Sequence, residues 1–404
     1  MRESETVGDI LEIASCSLTI LLEYGSLNRS FHLLFSQRLR KEVSMSKPIL
    51  VVVKDPGGTN ALLPVVAALR EQGCEVVLLA DGNAATRAQE IGARVLTITQ
   101  IVEQYPDPAL LVTSTCSGGG LGRELIPLFR GRCETIAFQD FWGARMNTDW
   151  KDPMYRPHRL FVPDDEGVAI AQRLWPDFGP ERIQTTGFTA MDRLHEIRNG
   201  EAAWAIRDRL DMPDPIWPVV LFAGQLRGTS TFLKEVVDAV NAAERKVYFI
   251  FRAHPRLERD APEEAALCEE VLKTLTAGRV IRNSHEHYPS SDVLIAGSDV
   301  TLARSSTTLV EAAYLLRPAI AVLFPETGLA SLVESTQGAL TDFPLTRLGC
   351  TATASSHAQL RGLLRRVYDG TLARELRPNQ IKHCKNDGKR ASNAALRLQL
   401  IAQG

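Results

Sequence analysis

The segment from Ile49 to Ala80 constrains the fold more than any other part of the chain. Ile49-Leu50-Val51-Val52-Val53 is an unbroken apolar run rich in β-branched residues. A run without polar alternation suits a strand buried on both faces, as in a parallel sheet. The loop Lys54-Asp55-Pro56-Gly57-Gly58 follows, then a helix whose Leu62, Val65, Val66 and Leu69 share one face at i, i+3, i+4 and i+7. Gly73 stands where a C-terminal cap belongs, and residues 76–80 form the next strand. Strand, glycine loop, helix and strand make a βαβ unit, which places its two strands parallel in one sheet.

The same order restarts at residues 219–223, a second buried-type strand. Gly224-Gln225-Leu226-Arg227-Gly228-Thr229 follows, then a helix to about Glu244 and a strand at 247–251. Further strands are expected at 95–98, 110–113, 135–138, 160–162, 183–186, 293–296, 300–303 and 319–323. Helices are expected at 164–175, 262–276, 307–316, 356–368 and 389–402. The Pro-rich segment 212–218 reads as a linker. The fold class is therefore α/β, with a parallel-sheet domain at 45–211 and another at 219–404. Met45, followed by Ser46-Lys47-Pro48 and the first strand, reads as a natural start. Residues 1–44 are then an upstream extension with little structure of its own; a short amphipathic docking helix is the other reading.

Charge narrows the function. Lys and Arg number 46 against 48 Asp and Glu, which lacks the basic excess of a general nucleic-acid binder. The seven cysteines, Cys16, Cys74, Cys116, Cys133, Cys268, Cys350 and Cys384, form no C-x-x-C pair. Scattered thiols fit a reducing cytoplasm and small buried side chains. The apolar stretch near 10–22 is broken by Glu12 and falls short of the roughly 20 residues a membrane span needs. Peripheral membrane contact stays open.

Several loops have the composition of ligand sites. Arg304-Ser305-Ser306-Thr307 precedes a helix and carries hydroxyls to where backbone N–H groups attract anions. Glu311 lies one turn further on, where a carboxylate can accept both hydroxyls of a ribose. The plainer reading is an ordinary Ser/Thr cap with Glu311 exposed. Arg252 and His254 follow the strand at 247–251, in the layer where open α/β sheets bind ligands. Gly224 and Gln225 open the loop after the second domain's first strand. In the first domain, Asp55 is a general base, a ligand for an acceptor hydroxyl, or a turn residue, with Gly57 and Gly58 beside it. Asp140 follows another strand and is either a base or a turn cap. Gly119 and Gly120 belong to a glycine-rich loop, 115–122, that also holds Cys116 and Ser117. No G-x-G-x-x-G, Walker A or zinc-spaced Cys/His set occurs, so no metal site is expected.

Together these residues resemble the GT-B superfamily, which includes lipid-A-disaccharide synthase, UDP-N-acetylglucosamine 2-epimerases and wall-polymer glycerophosphotransferases. The resemblance runs from about Lys47 to the C-terminus. Ser305-Ser306-Thr307 with Glu311-Ala312 is similar to the S-G-T/G-x-x-x-E-A donor signature, with Ser306 for the glycine. His254-Pro255 resembles the HP loop, and Thr186-Gly187-Phe188 with Asp192 resembles T-G-x-P-x-x-D without its proline. The resemblance implies two Rossmann-like domains facing a cleft and a last helix that returns to the first domain. It further implies a nucleoside-diphosphate sugar held by the second domain, an acceptor held by the first, and no cofactor. Glycosyl transfer to an acceptor hydroxyl, without metal, is the expected activity. A nucleotide-sugar 2-epimerase, a polyol-phosphate transferase and a non-catalytic nucleotide binder are the alternatives. The epimerase opening G-T-R-P-E is replaced here by Lys54-Asp55-Pro56-Gly57-Gly58.

Overall fold

A computed structural model describes residues 47–403, apart from 116, 117, 144, 283 and 289. The extension 1–44, and Cys116 and Ser117 of the glycine-rich loop, lie outside the described residues.

The first sheet contains β1 (Ile49–Val53), β2 (Val76–Ala80), β3 (Leu110–Ser114), β4 (Glu134–Phe138), β5 (Arg159–Val162) and β6 (Ile183–Thr185). Its order is β2-β1-β3-β4-β5-β6, and every pairing is parallel. The second sheet contains β7 (Val219–Ala223), β8 (Val247–Arg252), β9 (Gly278–Ile281), β10 (Val300–Ala303), β11 (Ala319–Val322) and β12 (Ala352–Ala354). Its order is β12-β11-β10-β7-β8-β9, again all parallel.

The apolar runs explain these sheets. Successive side chains on a strand point to opposite faces. Ile49, Val51 and Val53 join the core on one face of the first sheet, and Leu50 and Val52 join the core on the other. Val219 and Leu221 are likewise separated from Val220 and Phe222. Burying one such side chain contributes about 1.5–3 kcal/mol, so both faces must be covered by helices. Helix α1 (Pro56–Glu71) covers the first sheet, with Asp55 as its N-cap and Pro56 in its first turn.

Where strand order reverses, the flanking helices leave on opposite faces and a crevice opens at the carboxyl ends. In the first sheet the reversal falls between β1 and β3, and in the second between β7 and β10. The loops carrying Asp55, Gly119 and Gly120 therefore leave one reversal point. Those carrying Gln225 and Ser305 leave the other.

Some sequence expectations fail. Residues 95–98 are not a strand: only Arg94 bridges to Leu79, and Ile98–Gln104 is helical. Thr97 and Gln100 form a capping box there, and Val95 is 58% exposed. Residues 293–296 lie in the helix Asp292–Gly297. It packs so closely on helix α2 (Asn199–Arg209) that a Cβ on Gly297 would meet Ala202 O at 2.8 Å. Edge strands β9 and β12, and the helix Thr371–His383, were not expected from the pattern. The passage between the two cores also comes earlier than the Pro-rich segment 212–218. Ala202, Ile206, Leu210 and Met212 already belong to the core against the second sheet. Among the described residues, no helix is long and apolar enough to cross a membrane.

Helix α3 (Thr229–Asn241) follows β7, and α4 (Thr307–Tyr314) follows β10. The last helix, α5 (Arg390–Gln403), packs against the first sheet's core through Ala391, Ala394, Ala395 and Leu398. Asp192 anchors it: its Oδ2 accepts from Ala391 N at 2.7 Å, and Arg390 pairs with its Oδ1 at 3.6 Å. Gly187 makes room, because a Cβ there would lie 2.6 Å from Arg390 Cδ, and its φ of 77° favours glycine. Asp192→Ala is expected to lower stability by about 1–2 kcal/mol, as for a lost N-cap. Urea unfolding followed by circular dichroism checks this; an unchanged midpoint would show that α5 is held by its apolar face alone.

Candidate functional site

The loops leaving β1, β3 and β4 converge on the first turn of α1. Asp55 Oδ1 accepts from Gly58 N at 2.9 Å, so Asp55 is the helix cap. A Cβ on Gly57 would lie 2.0 Å from Asp140 Oδ2, and one on Gly58 would lie 1.9 Å from Ser114 Oγ. The two glycines thus allow Asp140 and Ser114 to reach the backbone. Burial raises the Asp140 carboxyl to about 7; the neighbouring Asp55 carboxylate adds to the rise, and backbone N–H groups of Asp140 and Phe141 oppose it. Such a carboxyl is poised to take or give a proton near neutral pH. Alongside, Lys54 Nζ donates to Gly118 O at 3.3 Å, and Asp149 accepts from Gly118 N at 2.7 Å. Gly119 and Gly120 have φ of 67° and 88°.

At the second reversal point, Gln225 Nε2 donates to Ser305 Oγ at 3.4 Å, and Gln225 N donates to Thr229 Oγ1 at 2.8 Å. Gly224 N donates to Arg252 O at 2.9 Å, joining this loop to the end of β8. Ser306 is an ordinary cap for α4, accepting from Thr308 N at 3.3 Å. A cavity of about 490 Å³ opens here, lined by Gln225, Leu226, Arg227, Ser305 and Thr307 from the second sheet's loops. Phe141 and Arg145, from the loop after β4, line its other side. That loop is held in place by Trp142, which is fully buried among Phe188 and Phe343 and donates to Asp164 Oδ1 at 2.8 Å. The cavity therefore has residues from both sheets, and Asp140 is the chain neighbour of one of them.

Solved structures share this architecture. A glycosyltransferase from Rickettsia africae ESF-5 aligns with a TM-score of 0.60 at 10% identity, over 89% of this chain and 100% of its own. S. aureus MnaA, solved with UDP, aligns at 0.58 and 13%, over 88% and 97%. The UDP-GlcNAc 2-epimerase from Neisseria meningitidis, bound to UDP-GlcNAc, aligns at 0.56 and 14%, over 87% and 99%. The chain has the GT-B fold. No family model matches the chain, and no curated protein sequence does.

Within the GT-B fold, the residues singled out from sequence separate into two groups. Gln225, Ser305 and Thr307 line the cavity. The others are not among its lining residues. Arg304 is buried with its guanidinium over the Phe232 ring at 5.0 Å, and Arg252 is buried and donates to Tyr288 O at 2.7 Å. Burial lowers the pKa of both arginines. His254 Nδ1 accepts from Arg256 N at 3.2 Å. Burial, with help from Arg256, lowers the His254 pKa and favours the neutral ring.

The reading of Glu311 as exposed is incorrect; it is only 7% exposed. Arg193 Nη2 donates to its Oε1 at 2.7 Å, and Ser291 Oγ donates to its Oε2 at 3.4 Å. Burial raises Glu311 to about 7; Arg193 opposes the rise and Asp292 adds to it. The misjudgement came from helix position alone, because α4 turns its Glu311 face inward.

Sequence reasoning missed Arg145, and it named Arg227 only as part of the loop 224–229, with no role of its own. Among the described residues, neither takes part in an ion pair. Arg145 has φ of 59°, a left-handed backbone uncommon outside glycine and frequent at functional sites.

The Glu311 contact makes stability depend on pH. Its folded pKa, about 7, lies above the roughly 4.3 of an unfolded Glu, so the protonated folded form is favoured at low pH. At pH 5 Glu311 is neutral with or without Arg193. At pH 8.5 the wild type holds a charged pair, while Arg193→Ala leaves the carboxylate uncompensated. The stability lost in Arg193→Ala is therefore expected to grow between pH 5 and pH 8.5, by about 1–3 kcal/mol. That is below the figure for a fully buried pair, because the Arg193 side chain is 42% exposed. A gap independent of pH in denaturant titrations would contradict this.

Proposed function

We propose that the protein is a glycosyltransferase that moves a sugar from a nucleoside diphosphate to an acceptor hydroxyl. The observation that carries this reading is the cavity lined by Arg145 and Arg227 with Ser305, Thr307 and Gln225, together with Asp140, the chain neighbour of the lining residue Phe141, whose carboxyl is raised to about 7. Two arginines and two hydroxyls suit a diphosphate, and the α4 N-terminus adds backbone N–H groups. Phe141 and Leu226 supply apolar surface for the rest of the nucleotide.

In this reading the acceptor oxygen attacks the anomeric carbon while its proton passes to Asp140. The bond between the anomeric carbon and the diphosphate oxygen breaks, and the nucleoside diphosphate leaves with its electron pair. Arg145, Arg227 and the α4 amides stabilise the charge that develops on it. These fixed cations take the part a divalent metal plays elsewhere, so activity is expected to survive exhaustive EDTA treatment. Product analysis with UDP-sugars and CDP-glycerol is the general test. Release of the nucleoside diphosphate with a new glycosidic bond supports transfer. Epimerised sugar, transferred glycerol phosphate, or binding without turnover overturns it in favour of the corresponding alternative.

Asp140 gives a pH signature. Because the base acts deprotonated, kcat/KM is expected to rise with pH through about 7 and level off above it. Asp140→Asn should lower kcat by roughly 10²–10⁴-fold. Asp55→Asn keeps a side chain able to cap α1 but removes the neighbouring charge, so it should move the rising limb to lower pH. A profile that does not shift in Asp55→Asn assigns the base elsewhere.

Arg145 and Arg227 give a binding signature. Each replacement by alanine should weaken UDP binding roughly ten- to a hundred-fold, the cost of a charged hydrogen bond, while the melting temperature changes little. Isothermal titration measures this directly. UDP affinity unchanged in both variants removes the cavity from the donor site.

A further inference from the structure

The seven cysteines are scattered along the sequence, but the fold brings two of them together. Cys350 lies just before β12, and Cys384 is the C-cap of the helix Thr371–His383. Both are buried, 0% and 1% exposed, in the same core against the second sheet. Gln380, one turn before Cys384, holds their segments together. Its Nε2 donates to Cys350 O at 2.9 Å, and its own carbonyl accepts from Cys384 N at 2.8 Å. The loop and the helix also touch at Gly349, where a Cβ would lie 2.5 Å from Asn379 Nδ2. Within this frame the Cys384 thiol is in hydrogen-bonding contact with the Cys350 thiol. Cysteines that point apart cannot be bridged without backbone movement; these two already meet at their sulfur atoms. Cys74, Cys133 and Cys268 each belong to a different core.

Access to the pair is one-sided. A second cavity, of about 460 Å³, is lined by Cys384 and Asn386, by Leu315 and Leu316 after α4, and by Ile197 and Asn199 at the start of α2. Cys350 is not among its lining residues. A molecule as small as hydrogen peroxide fits this space and meets Cys384 first. The Cys384 sulfur attacks one peroxide oxygen, the O–O bond breaks, and a sulfenic acid and one water form. The Cys350 sulfur then attacks the Cys384 sulfur, the S–O bond breaks, and a second water leaves with the Cys350 proton. Two thiols together give up two electrons and two protons, and the peroxide takes them up to become two waters. The Cys350 hydrogen bond and burial hold the Cys384 thiol well above its ordinary pKa. The thiolate is the nucleophile, so the pair reacts slowly and answers sustained rather than brief exposure.

We infer that Cys350 and Cys384 form a modification site, which sustained peroxide converts to a reversible disulfide bracing the helix Thr371–His383 against the segment before β12. This inference does not depend on the glycosyltransferase reading.

The test is peptide mapping by mass spectrometry of the full chain after prolonged exposure to hydrogen peroxide, with remaining thiols blocked by iodoacetamide in denaturant. A peptide pair joined through Cys350 and Cys384 is expected, and dithiothreitol should separate it. The oxidised protein should melt roughly 2–6 °C above the reduced one, because the crosslink restricts the unfolded chain. Cys384→Ala, treated in the same way, should form no such pair and gain nothing in melting temperature. The inference is overturned if no joined pair has formed once the partly exposed Cys74 and Cys133 are fully oxidised. It is equally overturned if Cys350 or Cys384 is joined instead to another cysteine, or if the crosslinked protein melts no higher than the reduced one. The wild-type peptide map decides the pairing even where Cys384→Ala folds poorly.

Discussion

A strand that runs parallel to its neighbour cannot be reached by a tight turn; the chain must cross the sheet and start again from the same end. The twelve strands among the described residues all obey this within their two sheets. The carboxyl end of every strand is therefore followed by a loop on the same edge. That edge is where Asp55, Asp140, Gln225 and Ser305 must lie, whatever their chemistry. Sheet order then selects among the loops. Only at β1/β3 and β7/β10 do adjacent loops splay apart, and those are the loops richest in glycine and hydroxyl residues.

This explains which features were legible in the sequence. The central strands are continuous apolar runs because both faces are covered, and they could be read directly. The loops after β1, β7 and β10 were legible for the same reason, being fixed by the strands they follow. Edge strands β9 and β12 were not. Gly278-Arg279-Val280-Ile281 and Ala352-Thr353-Ala354 have neighbours on one side only and carry no continuous apolar signal. Val293 to Ala296 misled in the opposite direction, since a buried helix turn and a buried strand have the same composition. Arg145 escaped notice, and Arg227 was given no role, because nothing local marks either as a ligand contact. Their relation depends on which loops meet across the cavity, which is decided by tertiary packing and by the burial of Trp142.

Two carboxyl groups, Asp140 and Glu311, share a raised pKa near 7, yet their surroundings assign them opposite parts. Glu311 has Arg193 and Ser291 on its two oxygens. Its charge is compensated within the protein, and its proton affinity is a matter of stability. Asp140 has a second carboxylate nearby and, among the described residues, no arginine partner, so its charge is opposed rather than compensated. A raised pKa alone does not distinguish the two carboxyl groups; the sign of the nearest charge does.

The return of α5 to the first sheet has a mechanical consequence. The chain passes between the two cores twice, once near His195 and again near Gly388. These passages run side by side: a Cβ on Gly388 would lie 2.9 Å from the His195 ring. Two adjacent passages leave the halves less freedom than a single tether would. Sliding and twisting both strain one passage against the other, whereas rotation about the line they share strains neither. Any opening of the cavity would thus be confined to the swing of a door on one pin, with Asp192 and Arg390 fastening a leaf beside it.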